Sequence, residues 1–311
     1  MAWSLEGASS NGGWDEAVFA GAKPTALHGE SAMKRIHIVS ASPRTGTTLL
    51  AECMRHCFEI DAYEEHEAPI THLRWSAKVY LTKRASSVLY SIARLRLDPR
   101  VTLICMIRDP RDVIVSKHAY DPGRYWTSLH LWESQAPLIR TLRNHPRFLL
   151  VRYEDLAADP DGVQRFIAER IPYLRERSRF SEFGEGTFVS AGASLAMNGA
   201  RKITPSSIGA WRQHLPRVAG QLKRYGSLPK QLIEFGYEKD DAWLSELENV
   251  TPDLAPSHWD KAKPISVTRL LQANLNAAWC GLCGRLGVPL ASLFMALNCN
   301  SVIGSLAAAL A

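Results

Sequence analysis

Cysteine is scarce in this chain, which has six cysteines among 311 residues. Small secreted domains that depend on disulfides carry cysteine far more densely, so a disulfide framework is excluded. Cys280 and Cys283 form a CxxC pair, but no second Cys or His pair stands at a spacing suited to zinc. The sequence therefore predicts buried or idle thiols and no metal site.

Blocks of like charge are also missing. Lys and Arg number 37 against 31 Asp and Glu, the formal net charge is +6, and the arginines are spread along the chain. Nucleic-acid-binding surfaces concentrate their basic residues, so no nucleic-acid partner is predicted. A mildly basic chain suits a protein that handles an anionic ligand, although many bacterial proteins are mildly basic without one.

The two ends of the chain lack different features. Residues 1–33 contain no apolar segment of the kind found in secretory signals, and their composition predicts a loosely ordered tail. From Leu286 to Ala311, 26 residues carry no charge, a length that could cross a bilayer were it not interrupted by Gly, Pro and Asn. We expect an apolar helical extension over 246–311. Peripheral membrane contact, packing on the domain or a homodimer partner, and a poorly ordered tail all stay open.

The most informative feature that is present lies in residues 36–50. A short apolar strand from Ile36 runs into a turn with Gly46, and the turn opens a helix. Backbone N–H groups, threonine hydroxyls and the positive end of the helix dipole then converge on a spot that suits a phosphate-like anion. The ATP-binding pattern GxxxxGK[ST] is incomplete, since Ser40 replaces the first Gly and Thr47 follows Gly46.

A second strand–helix junction lies near residue 108. The continuous apolar run 101–107 is typical of a buried parallel strand, and Asp109-Pro110 after it is a helix start signal. Arg108 is expected at the carboxyl end of that strand, with Ser116 about two turns into the helix on a face that returns to it. A guanidinium and a hydroxyl in that arrangement can bind a second phosphate.

The chain as a whole alternates between strand and helix patterns. The predicted strands are residues 35–40, 78–82, 101–107 and 147–152, and the predicted helices are residues 46–58, 85–97, 110–118, 124–144 and 160–170. This alternation predicts an α/β protein of the P-loop type, a three-layer fold with a central parallel sheet flanked by helices, over 34–245. Residues 181–209, rich in Gly, Ser and Ala, are expected to form a mobile loop.

The segments PRTGTTLL and RDPRDVIVS resemble the two cofactor motifs of sulfotransferases that use 3′-phosphoadenosine 5′-phosphosulfate (PAPS), closest to the glycan and tyrosylprotein type. The resemblance implies that Arg108 and Ser116 bind the 3′-phosphate. It also implies that the first motif holds the 5′-phosphosulfate through Pro43, Arg44, Thr45, Gly46, Thr47 and Thr48.

Two later segments extend the resemblance. Tyr153 belongs to a YEDL segment, in which the family places the tyrosine near the adenine. Arg201 and Lys202 resemble the start of the RKG…GxW segment that closes over the nucleotide and meets the 3′-phosphate. This chain lacks the Gly directly after Arg-Lys and has a longer gap to Gly209.

The catalytic residues implied by the resemblance are less uniform. Tyrosylprotein sulfotransferases use a Glu that corresponds to Glu65 as the base, whereas cytosolic sulfotransferases use a His, for which His66 stands. Glu64 and Glu67 are further options, and a solvated acidic turn is the alternative reading of the cluster. Lys83 corresponds to the lysine that contacts the transferring group, with its neighbour Arg84 as a substitute.

These features predict an enzyme that moves the sulfuryl group of PAPS to a hydroxyl of a saccharide, lipid-linked glycan or small metabolite, without a required metal. The alternatives are a P-loop small-molecule kinase and a non-catalytic nucleotide- or nucleic-acid-binding protein. Golgi sulfotransferases usually carry an N-terminal membrane anchor, which this sequence lacks, so a cytoplasmic, bacterial location is expected.

Overall fold

The computed structural model describes residues 33–72, 77–260 and 265–286. Its central feature is a five-stranded sheet in the order β2-β3-β1-β4-β7, in which every neighbouring pair is parallel. The strands of this sheet are β1 (Lys34–Ser40), β2 (Ala62–Tyr63), β3 (Val79–Ala85), β4 (Val101–Ile107) and β7 (Phe148–Arg152). The four strands predicted from apolar runs are therefore confirmed.

Helices cover both faces of this sheet. The described helices are α1 (Thr47–Cys57), α2 (Val88–Leu97), α3 (Pro110–Ile114), α4 (Leu129–Leu142), α5 (Tyr153–Ala158), α6 (Pro160–Arg170), α7 (Ala191–Met197), α8 (Leu215–Arg224), α9 (Leu228–Glu234) and α10 (Val267–Leu286). Alternate residues of β4 enter different cores: Ile104 packs in the core that includes Leu50 of α1, and Leu103 in the core that includes Trp132 of α4. The three-layer α/β prediction is confirmed by this arrangement.

The elements after β4 differ from the sequence prediction. The helix expected over 110–118 ends at Ile114, and the helix expected over 124–144 begins only at Leu129. Between them lies a hairpin of β5 (Lys117–His118) and β6 (Asp121–Tyr125), whose base is closed by a hydrogen bond from Trp126 N–H to the Ser116 carbonyl. Pairing within this hairpin replaces the expected helix, so Ser116 lies just past the end of α3 instead of two turns inside a helix.

The expected loop 181–209 also contains structure. Helix α7 forms within it, and the Ser190 hydroxyl caps the helix by accepting a hydrogen bond from Ala193 N–H. Asn198 ends the helix in the left-handed conformation, with φ of 57°. Caps at both ends therefore stabilise this helix, although the Gly, Ser and Ala composition of the segment predicts a loop.

The last described helix packs against the sheet domain. Gly281 of α10 lies so close to α2 that a Cβ there would sit 2.4 Å from the Leu97 carbonyl oxygen. Arg94 donates to the Asn276 side chain at 2.7 Å, and Arg100 donates to the Cys280 carbonyl at 2.8 Å. Close backbone approach and two arginine hydrogen bonds thus hold α10 on α2.

Most residues at the two ends of the chain are not among those that the structure describes. The expected tail over 1–33 and the uncharged residues 287–311 lie outside the described residues, apart from Met33. Within the described ranges, no helix combines the length and hydropathy that a membrane crossing needs. The domain bounds at 34–245 and 246–311 stay predictions.

Candidate active site

The turn between β1 and α1 takes a conformation that its residues largely dictate. Gly46 has φ of 89°, and a Cβ there would lie 2.8 Å from the ring of Tyr153. Arg44 also takes a positive φ, 70°, which is strained for a residue with a side chain. The Thr45 hydroxyl donates to the Ser42 carbonyl at 3.0 Å, so that it stabilises the turn itself.

The helix that follows begins with unpaired donors. Helix α1 starts at Thr47 without a side-chain cap, and its first intrahelical bond runs from Leu50 N–H to the Gly46 carbonyl. The N–H groups at the start of a helix have no intrahelical acceptor, and the helix dipole is positive there. Thr47 and Thr48 thus present backbone donors and hydroxyls at the expected anion site.

The second motif meets the first one directly. Arg108, at the end of β4, donates to the Arg44 carbonyl at 3.3 Å, and its guanidinium lies 4.5 Å from the Tyr153 ring centroid. The Arg44 side chain in turn donates to the Ser116 hydroxyl at 3.1 Å. The two sequence motifs, more than 50 residues apart, therefore form one cluster.

A cavity of about 410 Å³, which we call the basic cavity, opens beside this cluster. The predicted nucleotide ligands in its wall are Arg44, Gly46, Thr47, Thr48, Arg108, Ser116, Tyr153, Arg201 and Lys202. Burial and the neighbouring Arg108 lower the pKa of Arg44 to about 10. Two guanidinium groups held this close repel each other, and a bound anion would relieve that repulsion.

A segment around residue 208 lies against the basic cavity. The buried carboxylate of Asp112 accepts from Gly209 N–H at 2.8 Å and from Trp211 N–H at 3.0 Å. The Ser207 carbonyl accepts a second hydrogen bond from Arg108, at 2.8 Å. The hydroxyls of Ser207 and Tyr153 are hydrogen-bonded to each other at 2.8 Å. No role was predicted for Asp112, although it lies inside the RDPRD motif that could have identified it.

A larger cavity of about 720 Å³ lies on the other side of the turn. We call it the aromatic cavity, since Tyr90, Trp126 and Trp259 line it together with Leu89, Leu131 and Leu138. His118 also lines it and stacks on Trp126, with 4.4 Å between the ring centroids. Arg44, Thr47 and Thr48 belong to the walls of both cavities, so the two cavities meet at the turn. Pro43 lies on the aromatic side alone.

The acidic cluster after β2 is divided by its hydrogen bonds. Glu64 accepts from the Tyr80 hydroxyl at 3.1 Å, and Glu67 accepts from Ala85 N–H at 3.1 Å. Glu65 and His66 also line the aromatic cavity. Their side chains have no hydrogen-bond partner within the described ranges of the chain. Of the four candidates for a base, these two are the ones whose proton-accepting atoms are not already engaged.

Lys83 lies beneath the acidic cluster. Its side chain is 4% exposed, and its ammonium donates to the Glu65 carbonyl and lies 5.5 Å from the Tyr63 ring centroid. Burial lowers the pKa of Lys83, and the nearby carboxylates of Glu52, Glu67 and Glu65 oppose that shift only in part. Its neighbour Arg84 lines the aromatic cavity, whereas Lys83 is in neither of the two walls described above.

Glu154 is hydrogen-bonded to the start of α3, next to Arg108. Its carboxylate accepts from Asp109 N–H at 2.8 Å, which holds the start of α3 behind Arg108. Burial raises the pKa of Glu154 to about 7. No group of three or more His, Cys, Asp or Glu side chains within the described residues could hold a metal ion.

A sulfotransferase domain family model matches residues 35–225. Among solved structures, the sulfotransferase domain from the curacin biosynthetic pathway is 13% identical with a TM-score of 0.43, over 67% of this chain and 99% of that chain. The sulfotransferase domain from the Synechococcus PCC 7002 olefin synthase is 15% identical with a TM-score of 0.34, over 60% of this chain and 91% of that one. No curated protein is significantly similar to the chain in sequence.

The family match covers most of the chain, including the turn, both cofactor motifs and the segment with Gly209 and Trp211. It confirms the resemblance carried by PRTGTTLL and RDPRDVIVS. This chain is therefore a sulfotransferase and belongs to the PAPS-dependent sulfotransferase family.

Proposed function

We propose that this sulfotransferase moves the sulfuryl group of PAPS by in-line displacement to a hydroxyl of a saccharide, lipid-linked glycan or small metabolite. The observation that carries the proposal is the meeting of the basic and aromatic cavities at Arg44, Thr47 and Thr48. A donor in one cavity and an acceptor in the other would face each other across the turn. In-line transfer needs that arrangement.

The basic cavity is the proposed nucleotide site. PAPS, when bound, supplies the sulfuryl group and an adenosine bisphosphate that leaves. Thr47 and Thr48 would donate to its 5′ end at the start of α1, where the helix dipole favours negative charge. Arg108 and Ser116 would bind the 3′-phosphate, with Tyr153 beside the adenine and Arg201 and Lys202 above.

The aromatic cavity is the proposed acceptor site. Glu65 is the first candidate for the base that removes the acceptor proton, and His66 is the second, since both line this cavity with free acceptor atoms. The Lys83 ammonium would position Glu65 by donating a hydrogen bond to its backbone carbonyl. Arg84, the neighbour of Lys83 in the sequence, lines the cavity itself. The chemistry needs charge stabilisation at the leaving phosphate, which Arg44 and the α1 N–H groups could supply.

The kinase alternative has no observation in its favour. The family match assigns the chain to sulfotransferases, and Thr47 occupies the position where an ATP-binding loop has its lysine.

The test is to incubate the enzyme with ³⁵S-labelled PAPS and an extract of the host. We expect label to enter an alcohol-bearing product with the wild type and with Arg165→Ala, an exposed control on α6. Arg108→Ala should transfer far less. A wild type that labels nothing from PAPS, but labels products from γ-³²P ATP, would contradict the proposal.

A further inference from the structure

Two arginines have no partner where the aromatic cavity adjoins a smaller one. Arg84 follows the buried part of β3, and Arg269 lies in the first turns of α10. Neither guanidinium forms a hydrogen bond or ion pair with any side chain or carbonyl in the described part of the molecule. Both line the aromatic cavity, and both also line a smaller adjoining cavity of about 280 Å³ between α2 and α10.

Several arginines of this protein, unlike these two, are paired with a carboxylate. Arg94 pairs with Asp98 at 2.9 Å, Arg111 with Asp109 at 2.7 Å, and Arg212 with Glu246 at 3.0 Å. The carboxylates of the aromatic cavity, Glu65 and Glu67, form no ion pair with Arg84 or Arg269. Two cations that line the same space, and are paired with neither of its carboxylates, can bind an external anion.

Apolar side chains make up much of the wall that these cations share. Leu89 and Tyr90 of α2, Leu131 and Leu138 of α4, and Trp126 line the same cavity. Such a wall suits an aliphatic or aromatic body, because burying apolar surface stabilises the complex in proportion to the area removed from water.

From this arrangement, and resting on the proposed function, we propose that the acceptor is an anionic amphiphile. Its hydroxyl would lie at Thr47, Thr48 and Glu65, and its apolar body along the α2 and α4 walls. A carboxylate or phosphate at its other end would bind between Arg84 and Arg269. Helix α10 thereby contributes a specificity residue from outside the segment that the family model matches, which ends at residue 225.

Binding can be measured without turnover. The enzyme is first saturated with adenosine 3′,5′-bisphosphate and then titrated calorimetrically with dodecanoate, dodecyl phosphate or dodecanol, below their aggregation concentrations. We expect one or both anions to bind at least about tenfold more tightly than the neutral alcohol, the change expected for one charge-assisted hydrogen bond. The stronger anion identifies the group. Equal affinity of all three probes would overturn the proposal.

Variants locate the effect. Arg269→Gln and Arg84→Gln should each remove about tenfold of the anion's affinity and leave dodecanol binding unchanged. Arg96→Gln, at an exposed arginine of α2 outside both cavities, is the matched control and should change neither. Retention of full anion preference in both cavity variants would contradict the assignment. Their affinity for the bisphosphate reports that the fold and the nucleotide site are intact.

Turnover separates this proposal from the one on which it rests. With ³⁵S-labelled PAPS, 12-hydroxydodecanoate should be a better acceptor than dodecane-1,12-diol, and Arg269→Gln should reduce that preference. Bisphosphate binding with equal labelling of acid and diol would overturn only the anionic acceptor. Failure to bind the bisphosphate at all would overturn the proposed function itself.

Discussion

Single residues decide whether the turn can hold an anion. Gly46 takes a positive φ and leaves no room for a Cβ, and the adjacent Thr47 replaces the lysine of ATP-binding loops. Glu65 and His66 line the aromatic cavity with free acceptor atoms, whereas the carboxylates of Glu64 and Glu67 accept hydrogen bonds from Tyr80 and Ala85. Individual residues therefore form the anion site and provide the candidates for the base.

The choice of base is tested by Glu65→Gln. A glutamine keeps the size of the side chain but cannot take a proton, so we expect transfer to fall by about 100-fold or more. Binding of adenosine 3′,5′-bisphosphate should be unchanged, since the side chain lines the other cavity. Steady-state rates and calorimetry measure the two effects. Glu64→Gln is the matched control.

Full activity of Glu65→Gln together with loss of activity in His66→Gln would transfer the role to the histidine. Full activity of both variants would exclude Glu65 and His66 and leave Glu64, Glu67 or a group outside this cluster as the base.

The buried carboxyl of Glu154 predicts a dependence of stability on pH. Its pKa is raised from an ordinary 4.5 to about 7 by burial, so the folded state holds a proton that the unfolded state releases between those values. Stability from this group is therefore present below about pH 4.5 and is lost as pH rises to about 7. Between about pH 5 and pH 8, the wild type should lose about 1–3 kcal/mol of its free energy of unfolding through this group. Glu154→Gln should abolish that loss.

Denaturant unfolding of both proteins across that pH range measures the difference. The control is Glu169→Gln, at an exposed position of α6. Identical pH profiles for the wild type and Glu154→Gln would contradict the raised pKa.

At the scale of elements, local patterns predicted the sheet better than the connections. Runs such as 101–107 identify buried strands because parallel strands covered on both faces are continuously apolar. The β5–β6 hairpin and α7 were missed. The hairpin is short, and the distant residues His258 and Trp259 donate backbone hydrogen bonds to Tyr125 and Trp126 at its end, whereas α7 depends on caps rather than on an apolar face. Lys83 was predicted at the end of its strand, but its burial under Glu65 follows from tertiary packing that the sequence does not display.

Asp112 joins α3 to the segment over the basic cavity, which gives a prediction at this scale. Asparagine has one acceptor oxygen on its side chain, whereas the Asp112 carboxylate accepts from two backbone N–H groups, those of Gly209 and Trp211. Asp112→Asn should therefore lose about 1–3 kcal/mol of local stability. We expect faster hydrogen exchange at Gly209 and Trp211 and weaker binding of the bisphosphate. Asp240→Asn is the control, because Asp240 bonds Ala242 N–H in an exposed turn.

Unchanged exchange at both amides in Asp112→Asn would show that the segment is held by its other contacts, such as those of Ser207.

At the scale of the whole molecule, the carboxyl ends of β1 and β4 bring the two sequence motifs to one edge of the sheet. That juxtaposition could be predicted, because ligands of open parallel sheets bind at this edge. The division into a basic and an aromatic cavity could not, since the walls of the second come from β3, α2, α4, α7 and α10. Residues so far apart in sequence share no pattern that marks them as neighbours.

We propose that one adenine nucleotide spans from the start of α1 to Arg108 and Ser116. Calorimetry in EDTA with adenosine 3′,5′-bisphosphate and with adenosine 5′-monophosphate tests it most directly. We expect the bisphosphate to bind on the order of 100-fold more tightly in the wild type, without Mg²⁺, because two charge-assisted contacts hold its 3′-phosphate. In Arg108→Gln/Ser116→Ala that ratio should fall close to one, while in Arg165→Gln it should persist. Equal binding of the two nucleotides by the wild type, or an undiminished ratio in the double variant, would contradict the account.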